Sequence, residues 1–347
     1  VYGVCTMNGG TVSRNTAAFG AGAYVMCYNS DAFTMNGGTI SDNTATTGRG
    51  GGVYLSKGPF TMNGGAISGN TAAGDGGGVY LGSDTCTFTM SGDAAVSGNT
   101  TNANGGGVYI KECITDRYTH TFTMSGNAKI TDNKADGNGG GVMLIKETTG
   151  TLTLSVSGAP VVQGNKSGTE TSNFCLPDKS TLTIAGALTD GAAIGLTTST
   201  VPSESSTVTV ATGVTADYSS CFTSDAGRKY KVRYNSADST LRLGMGDHEH
   251  YLCGGDTCDG NNHPAEAEAT VFEKWTEKGS LPGSGNYYLS ENVTLTAAHT
   301  LTGDLILDLN GHSITVDGDA DAISVPTGKT LTLTDCGGSG AITRSSG

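Results

Sequence analysis

The sequence predicts an all-β fold, a parallel β-helix solenoid of stacked rungs, and three observations on its 347 residues predict it. The first is glycine: 55 residues, against only 7 prolines. Glycine loses the most backbone entropy on folding, so this load excludes a mostly helical protein and calls for many tight turns, while the scarcity of Pro argues against a disordered chain. The second is a repeat. CTMNGGTVSRNT begins at Cys5, FTMNGGTISDNT at Phe33, FTMNGGAISGNT at Phe60, FTMSGDAAVSGNT at Phe88, FTMSGNAKITDN at Phe122 and a degraded LTLSVSGAPVVQGN at Leu152, so successive starts lie 28, 27, 28, 34 and 30 residues apart. Self-similarity at such a period marks a solenoid. The third is period-2 alternation within short segments, which belongs to strands.

Three strands are predicted in each rung: Phe-Thr-Met, a segment around Ala-Ile-Ser, and Val-Tyr-Leu. The last comes from a second block, GGGVYL at Gly50 and Gly76, GGGVYI at Gly105 and GGGVML at Gly139. Alternation turns Phe and Met inward with Thr outward, and Val and Leu inward with Tyr outward. Stacking at about 4.8 Å then places Phe33, Phe60, Phe88 and Phe122 in one interior column, with Met35, Met62, Met90 and Met124 beside it. Asn15, Asn43, Asn70, Asn99, Asn133 and Asn165 recur at the turn after the second strand. Asn tolerates left-handed turns and stacked amides bond from rung to rung, so this ladder reads as structural.

These rungs occupy residues 1–180. A β cap is expected over 181–245, because a terminal rung must protect an open stack edge. It ends in KYKVRYNSADSTLRLGM, a hairpin with Val232, Tyr234, Leu241 and Leu243 as its apolar points. Residues 246–273 read as a His/Cys-containing linker. Residues 274–347, which include LDLNGHSI and KTLTLTDCGGSGAITRSSG, resemble the opening coils of a second β-helix. Joining Gly347 to Val1 preserves the repeat phase, AITRSSG running into VYGVCTMNGG. Two expectations follow: a unit of a tandem array, or protomers that self-associate head to tail.

The segment Phe60 to Ile67, FTMNGGAI, holds both an F-x-x-N and a G-G-A-I element. In this it resembles the polymorphic outer-membrane adhesins of chlamydiae, and the Gly/Asn/Thr repeats resemble adhesin-like surface proteins of Gram-positive gut bacteria. The resemblance implies a right-handed β-helix of the pectin-lyase-like class. It also implies an extracellular or cell-surface role in bacteria, as a segment of a large adhesin or stalk.

Composition narrows the partners. Lys+Arg 19 against Asp+Glu 32 gives a formal charge of −13, which argues against nucleic acid because that binding begins with phosphate neutralisation. No stretch approaches the roughly 20 apolar residues of a membrane span, so direct membrane insertion is not expected. A host glycan or surface protein is the expected partner, met by charge-poor Thr/Asn faces, by loops such as Glu112 to Thr121, and by an outward column of Tyr54, Tyr80 and Tyr109.

Candidate chemistry is sparse. His248, His250, Cys253, Cys258 and His263 fall in H-x-H-x2-C-x4-C-x4-H, and four of these could close a structural zinc site; a Cys253–Cys258 disulfide with solvated histidines is the equal alternative. Cys86 with Cys113, and Cys175 with Cys221, are disulfide candidates in a secreted chain. Glycosidic cleavage would need two carboxylates on one column, but Gly69 and Gly98 separate Asp42 from Asp132, and His120 sits in an insertion. The chain is therefore read as a non-enzyme, with a β-helix polysaccharide lyase or hydrolase as the third reading. The outward row Thr6, Thr34, Thr61, Thr89, Thr123 and Thr153 suits ice-binding geometry, yet Thr fills exposed strand positions for ordinary reasons.

Overall fold

The structure is a computed structural model. It describes residues 1–347 apart from 29–30, 83, 112–118, 147–150, 204–205, 228, 247, 251–269, 318–320, 336–337 and 345–347, together with the side chains of 248–250. The chain forms a parallel β-solenoid of about 11 turns. It divides into two compact units, Val1–Met245 and Gly246–Gly347.

In the first unit each rung has four strands. Val53–Met62 carries the Val-Tyr-Leu of one rung straight into the Phe-Thr-Met of the next, and is followed by Ala66–Ser68, Thr71–Ala72 and Val79–Leu81. The unforeseen fourth strand is the two-residue one. Its ladder runs from Thr16–Ala17 through Thr44–Ala45, Thr71–Ala72, Thr100–Thr101 and Lys134–Ala135 to Lys166–Ser167, all parallel. A strand with one inward residue carries no alternation to detect, and here that residue is small: Ala45 and Ala72 are fully buried.

The interior columns form in the predicted register. Phe33, Phe60, Phe88 and Phe122 face one another across successive rungs, with ring centroids 4.8, 5.0 and 5.5 Å apart. Met35, Met62, Met90 and Met124 are fully buried beside them, as are Ile40, Ile67, Val96, Ile130 and Val162 on the second strand. Each such side chain stabilises the fold by about 1.5–3 kcal/mol relative to exposure. In the sixth rung, however, Phe122 pairs with Leu154 and Met124 with Val156. That rung begins at Leu154, two residues later than its sequence suggests, and Ser155 rather than Thr153 continues the outward Thr row.

The Asn ladder sits at the corner after the second strand and is buried from Asn43 onward. Each amide donates to the next: Asn15 to Asn43, Asn43 to Asn70, Asn70 to Asn99, Asn99 to Asn133 and Asn133 to Asn165, every Nδ2 to Oδ1 distance being 2.9 Å. The same Oδ1 accepts the main-chain N–H of the preceding ladder Asn at 3.0 Å. The left-handed residue is not the Asn but the one before it, Arg14, Asp42, Gly69, Gly98, Asp132 or Gly164, with φ between 54° and 71°. The amides are thus selected by hydrogen bonding and their predecessors by conformation. The ladder extends through Asn173, which receives from Asn165 at 3.0 Å, and stops at Asp225. That carboxylate accepts the Asn173 amide at 2.6 Å, its main-chain N–H at 2.7 Å and the Thr197 hydroxyl at 2.6 Å.

Parallel stacking runs on past residue 181. Leu182–Leu188 lies along the preceding Thr151–Gly158, and Ala193–Thr198 joins both the second-strand and the Val-Tyr-Leu ladders. Val208–Thr212 and Phe222–Ser224 add further parallel strands. The hairpin Tyr230–Asn235 with Thr240–Met245 is antiparallel, and its second strand pairs antiparallel with Val208–Thr212. Val232, Leu241 and Leu243 bury their side chains there.

The second unit has its own core of Leu289, Val293, Leu295, Leu305, Leu307, Ile314 and Val316. Gly285–Leu289, Leu305–Asp308 and Leu331–Thr334 stack in parallel, as do Val293–Leu295, Ser313–Val316 and Ala341–Arg344. Thr270–Trp275 joins the first of these sheets. His248–His250 pairs with it antiparallel.

Candidate functional site

Rung length varies at one corner only. Phe33 to Asn43 and Phe60 to Asn70 are 10 residues, and Phe88 to Asn99 and Phe122 to Asn133 are 11; Asn43 to Val53 is 10, and Asn70 to Val79, Asn99 to Val108 and Asn133 to Val142 are 9. From the inward Val to the next interior column the count is 7 for Val53 to Phe60, 9 for Val79 to Phe88, 14 for Val108 to Phe122 and 12 for Val142 to Leu154. Hydrogen-bonded corners fix the first two intervals, because one extra residue there breaks the Asn ladder or flips a strand face. The corner after Val-Tyr-Leu bears no such ladder and takes the insertions. Residues 112–118 and 147–150 belong to it and lie outside the described residues.

At its C-terminal end this corner is a groove of two lobes, about 380 and 320 Å³. Leu176, Pro177, Thr198 and Ser199 line both lobes and join them. Ser180 N–H donates to Pro177 O at 3.1 Å, closing a turn whose third residue, Lys179, has φ 62°. Asp178 accepts the Thr200 hydroxyl at 2.5 Å and so ties this turn to the facing loop. The Cys175 thiol lines the first lobe 3.2 Å from Ser172 Oγ. Burial pushes its pKa up, with the Ser172 and Thr197 hydroxyls opposing, so this thiol stays protonated and is a poor nucleophile.

The tyrosines of the Val-Tyr-Leu strands do form a column. Tyr24, Tyr54, Tyr80 and Tyr109 stack at 5.0, 4.9 and 5.4 Å. The column is not exposed as expected: Tyr80 is 4% and Tyr109 6% exposed. Stacking at the rung spacing hides ring faces from solvent, and the Arg49 guanidinium, paired with Asp75 at 3.3 Å, covers Tyr80 at 5.2 Å. Burial raises the Tyr80 hydroxyl to about 12, with Arg49 opposing. Only the Tyr54 end stays open, where Phe19, 47% exposed, meets Tyr54 edge-on at 5.9 Å.

Cys5, Cys27, Cys86, Cys175 and Cys221 are free thiols. Cys175 lies opposite Thr197, whereas Phe222, next to Cys221, lies opposite Ile194. The expected Cys175–Cys221 bridge does not form, because the pair is separated both across and along the strands. Cys86 is fully buried and its Sγ lies 3.4 Å from Leu55 O; Cys113 is outside the described residues. Of the zinc candidates, His248 and His250 are described by main chain alone, and Cys253, Cys258 and His263 fall outside. Elemental analysis with a thiol count separates the two readings. One zinc per chain favours the metal site, and a Cys253–Cys258 linked peptide without zinc favours the disulfide.

His120 lies inside the core rather than in an insertion. It is fully buried in Thr119–Met124, opposite Cys86 on one side and Leu152 on the other. The alternation Thr-His-Thr-Phe-Thr-Met already places it on the Phe122 face, a signal masked by the longer loop before it. Comparison with known proteins found no matching family model, no matching curated protein and no matching solved structure, so the likeness to surface adhesins rests on the repeat motifs alone.

Proposed function

We propose that this chain is a non-enzymatic display and adhesion segment of a bacterial cell surface, binding a glycan or protein of the surface it meets. The observation that carries the reading is the contrast between a frame of constant ladders and one corner of changing length. A scaffold that holds register at every hydrogen-bonded corner and varies at a single edge presents different loops along a rigid support, as binding proteins do. The charge-poor Thr and Asn rows leave recognition to shape and neutral hydrogen bonds. A glycan array with the whole chain tests binding, and a parallel turnover screen on polysaccharides tests the alternative. Product released from any of them overturns the non-enzymatic reading.

A second reading is a filament subunit that stacks end to end. It is favoured by an apolar concavity of about 760 Å³ at one end of the first unit, lined by Cys5, Met7, Val12, Tyr24 and Phe33. Val1 there extends the ladder beyond Tyr24 and Met26, accepting from the Met26 N–H at 3.0 Å. In the second unit Leu333 is 44% and Ile342 38% exposed on its outermost strands. Sedimentation across a hundredfold concentration range decides: a species that grows with concentration supports stacking, and an unchanging monomer sinks it.

A further inference from the structure

We infer that the two-lobed groove is a site for a neutral disaccharide, one pyranose ring in each lobe with the glycosidic link crossing Leu176 and Pro177. The inference rests on the adhesive reading above and names its ligand class and place.

The volumes suit this ligand. Lobes of about 380 and 320 Å³ stand at the small end of ligand-pocket sizes. The lining suits it as well. Thr197, Thr198, Ser199, Thr200, Thr207 and Thr209 border the groove, and each hydroxyl both donates and accepts, which is what sugar hydroxyls require of their partners. Leu176 and Pro177 give the apolar floor on which the C–H face of a pyranose rests. Asp178, held by Thr200 through one oxygen, keeps its second oxygen to receive two neighbouring sugar hydroxyls.

Two further features mark the groove as more than a surface dip. The Ser180 hydroxyl lines the second lobe, is inaccessible to water and has no hydrogen-bond partner among the described residues. Leaving such a group unpaired costs about 1–3 kcal/mol, a deficit that a hydroxylated ligand removes once the side chain turns to meet it. Beside it, Lys179 occupies the left-handed region that this chain otherwise fills chiefly with glycine. Strain of about 1–2 kcal/mol at a lysine, in a chain with glycine so freely used, places a long donor where a Gly would place none.

The test uses the full chain and three probes, lactose, cellobiose and N-acetyllactosamine, titrated by calorimetry into the parent protein and two variants. Ser199→Trp fills the junction of the lobes from an exposed position, and Asp178→Asn keeps the Thr200 contact while removing the charge. The expected result is millimolar or tighter binding of at least one probe, weakened about tenfold or more by both variants, with thermal unfolding unchanged. Binding of equal strength in parent and Ser199→Trp overturns the groove and leaves the adhesive reading standing. No binding of any disaccharide, or capture only of proteins or acidic glycans, overturns the groove and removes neutral glycans from the adhesive reading.

Discussion

At the scale of single residues, the two polar ladders of this solenoid look alike in sequence and differ in consequence. Asn99 lies in the buried ladder. Its Oδ1 accepts the main-chain N–H and the amide of Asn70, while its own amide donates to Ile67 O and Asn133 Oδ1. Asn99→Ala strands several buried groups at about 1–3 kcal/mol each, so a loss of at least ~3 kcal/mol is expected in urea unfolding. Asn36 bonds to Asn8 and Asn63 at 2.8 Å on the exposed face. Asn36→Ala should cost under ~0.5 kcal/mol, because water replaces both partners. His120 provides a pH test. Burial holds its pKa below the ordinary 6.5, so its stabilising contribution is complete above pH 6.5 and is lost as pH falls through the lowered folded value. His120→Leu matches the Leu152 that faces it. It should lower stability at pH 7.5 by about 1–2 kcal/mol through lost main-chain hydrogen bonds, yet flatten the decline in Tm between pH 6.5 and 5. An unchanged acid limb in the variant would assign that decline to carboxylates instead.

At the scale of strands and turns, what the sequence discloses is set by how far a slip changes the pattern. The Phe, Met, Val and Leu columns were legible because a one-residue slip reverses every face. A two-residue slip reverses none, and in TLTLSVSG both Leu-Thr-Leu and Leu-Ser-Val satisfy the alternation. Only the stack itself selects Leu154 over Leu152. Side-chain direction gave the tyrosine column but not its burial, since exposure depends on what the neighbouring rungs lay over an outward ring. The groove was illegible because its lining comes from separate loops brought together by the turn at Pro177 and its tie to Thr200. Glycine shows the same division. A Cβ on Gly77 would meet Gly106 O and Thr100 O at 2.5 Å, both main chain, whereas one on Gly98 meets nothing nearer than 4.0 Å. Gly98 has φ 61° in the column that also holds Asp42 and Asp132. Gly77→Ala is therefore expected to cost about 3 kcal/mol or more, and Gly98→Asn under ~1 kcal/mol, read from paired thermal melts. Equal costs would mean that glycine is required here for conformation rather than for backbone approach.

At the scale of the whole molecule, the first unit behaves as a stack in which each rung touches chiefly the rungs beside it, so its stability is close to a sum of rung and interface contributions. Removing one complete rung should then cost little beyond that rung. Residues 60–87 make such a unit: without them Phe88 follows Pro59, Phe33 meets Phe88, Asn43 meets Asn99 and Tyr54 meets Tyr109, each in the register their present neighbours hold. All three ladders close across the excision, and the one lost surface pair is Arg49 with Asp75, which as an exposed contact is worth under ~1 kcal/mol. Removing residues 60–73 instead brings Gly74 to Pro59 and leaves a rung with no Phe, no Met and no ladder Asn, so nothing closes. The 28-residue deletion is expected to give a soluble chain with the parent's strand signal per residue in circular dichroism and a single unfolding transition of smaller urea dependence. The 14-residue deletion, though shorter, is expected to lose that transition. If both variants unfold like the parent, the ladders are not what sets the register. If both collapse, the first unit is a single indivisible core and the additive picture of the solenoid is wrong.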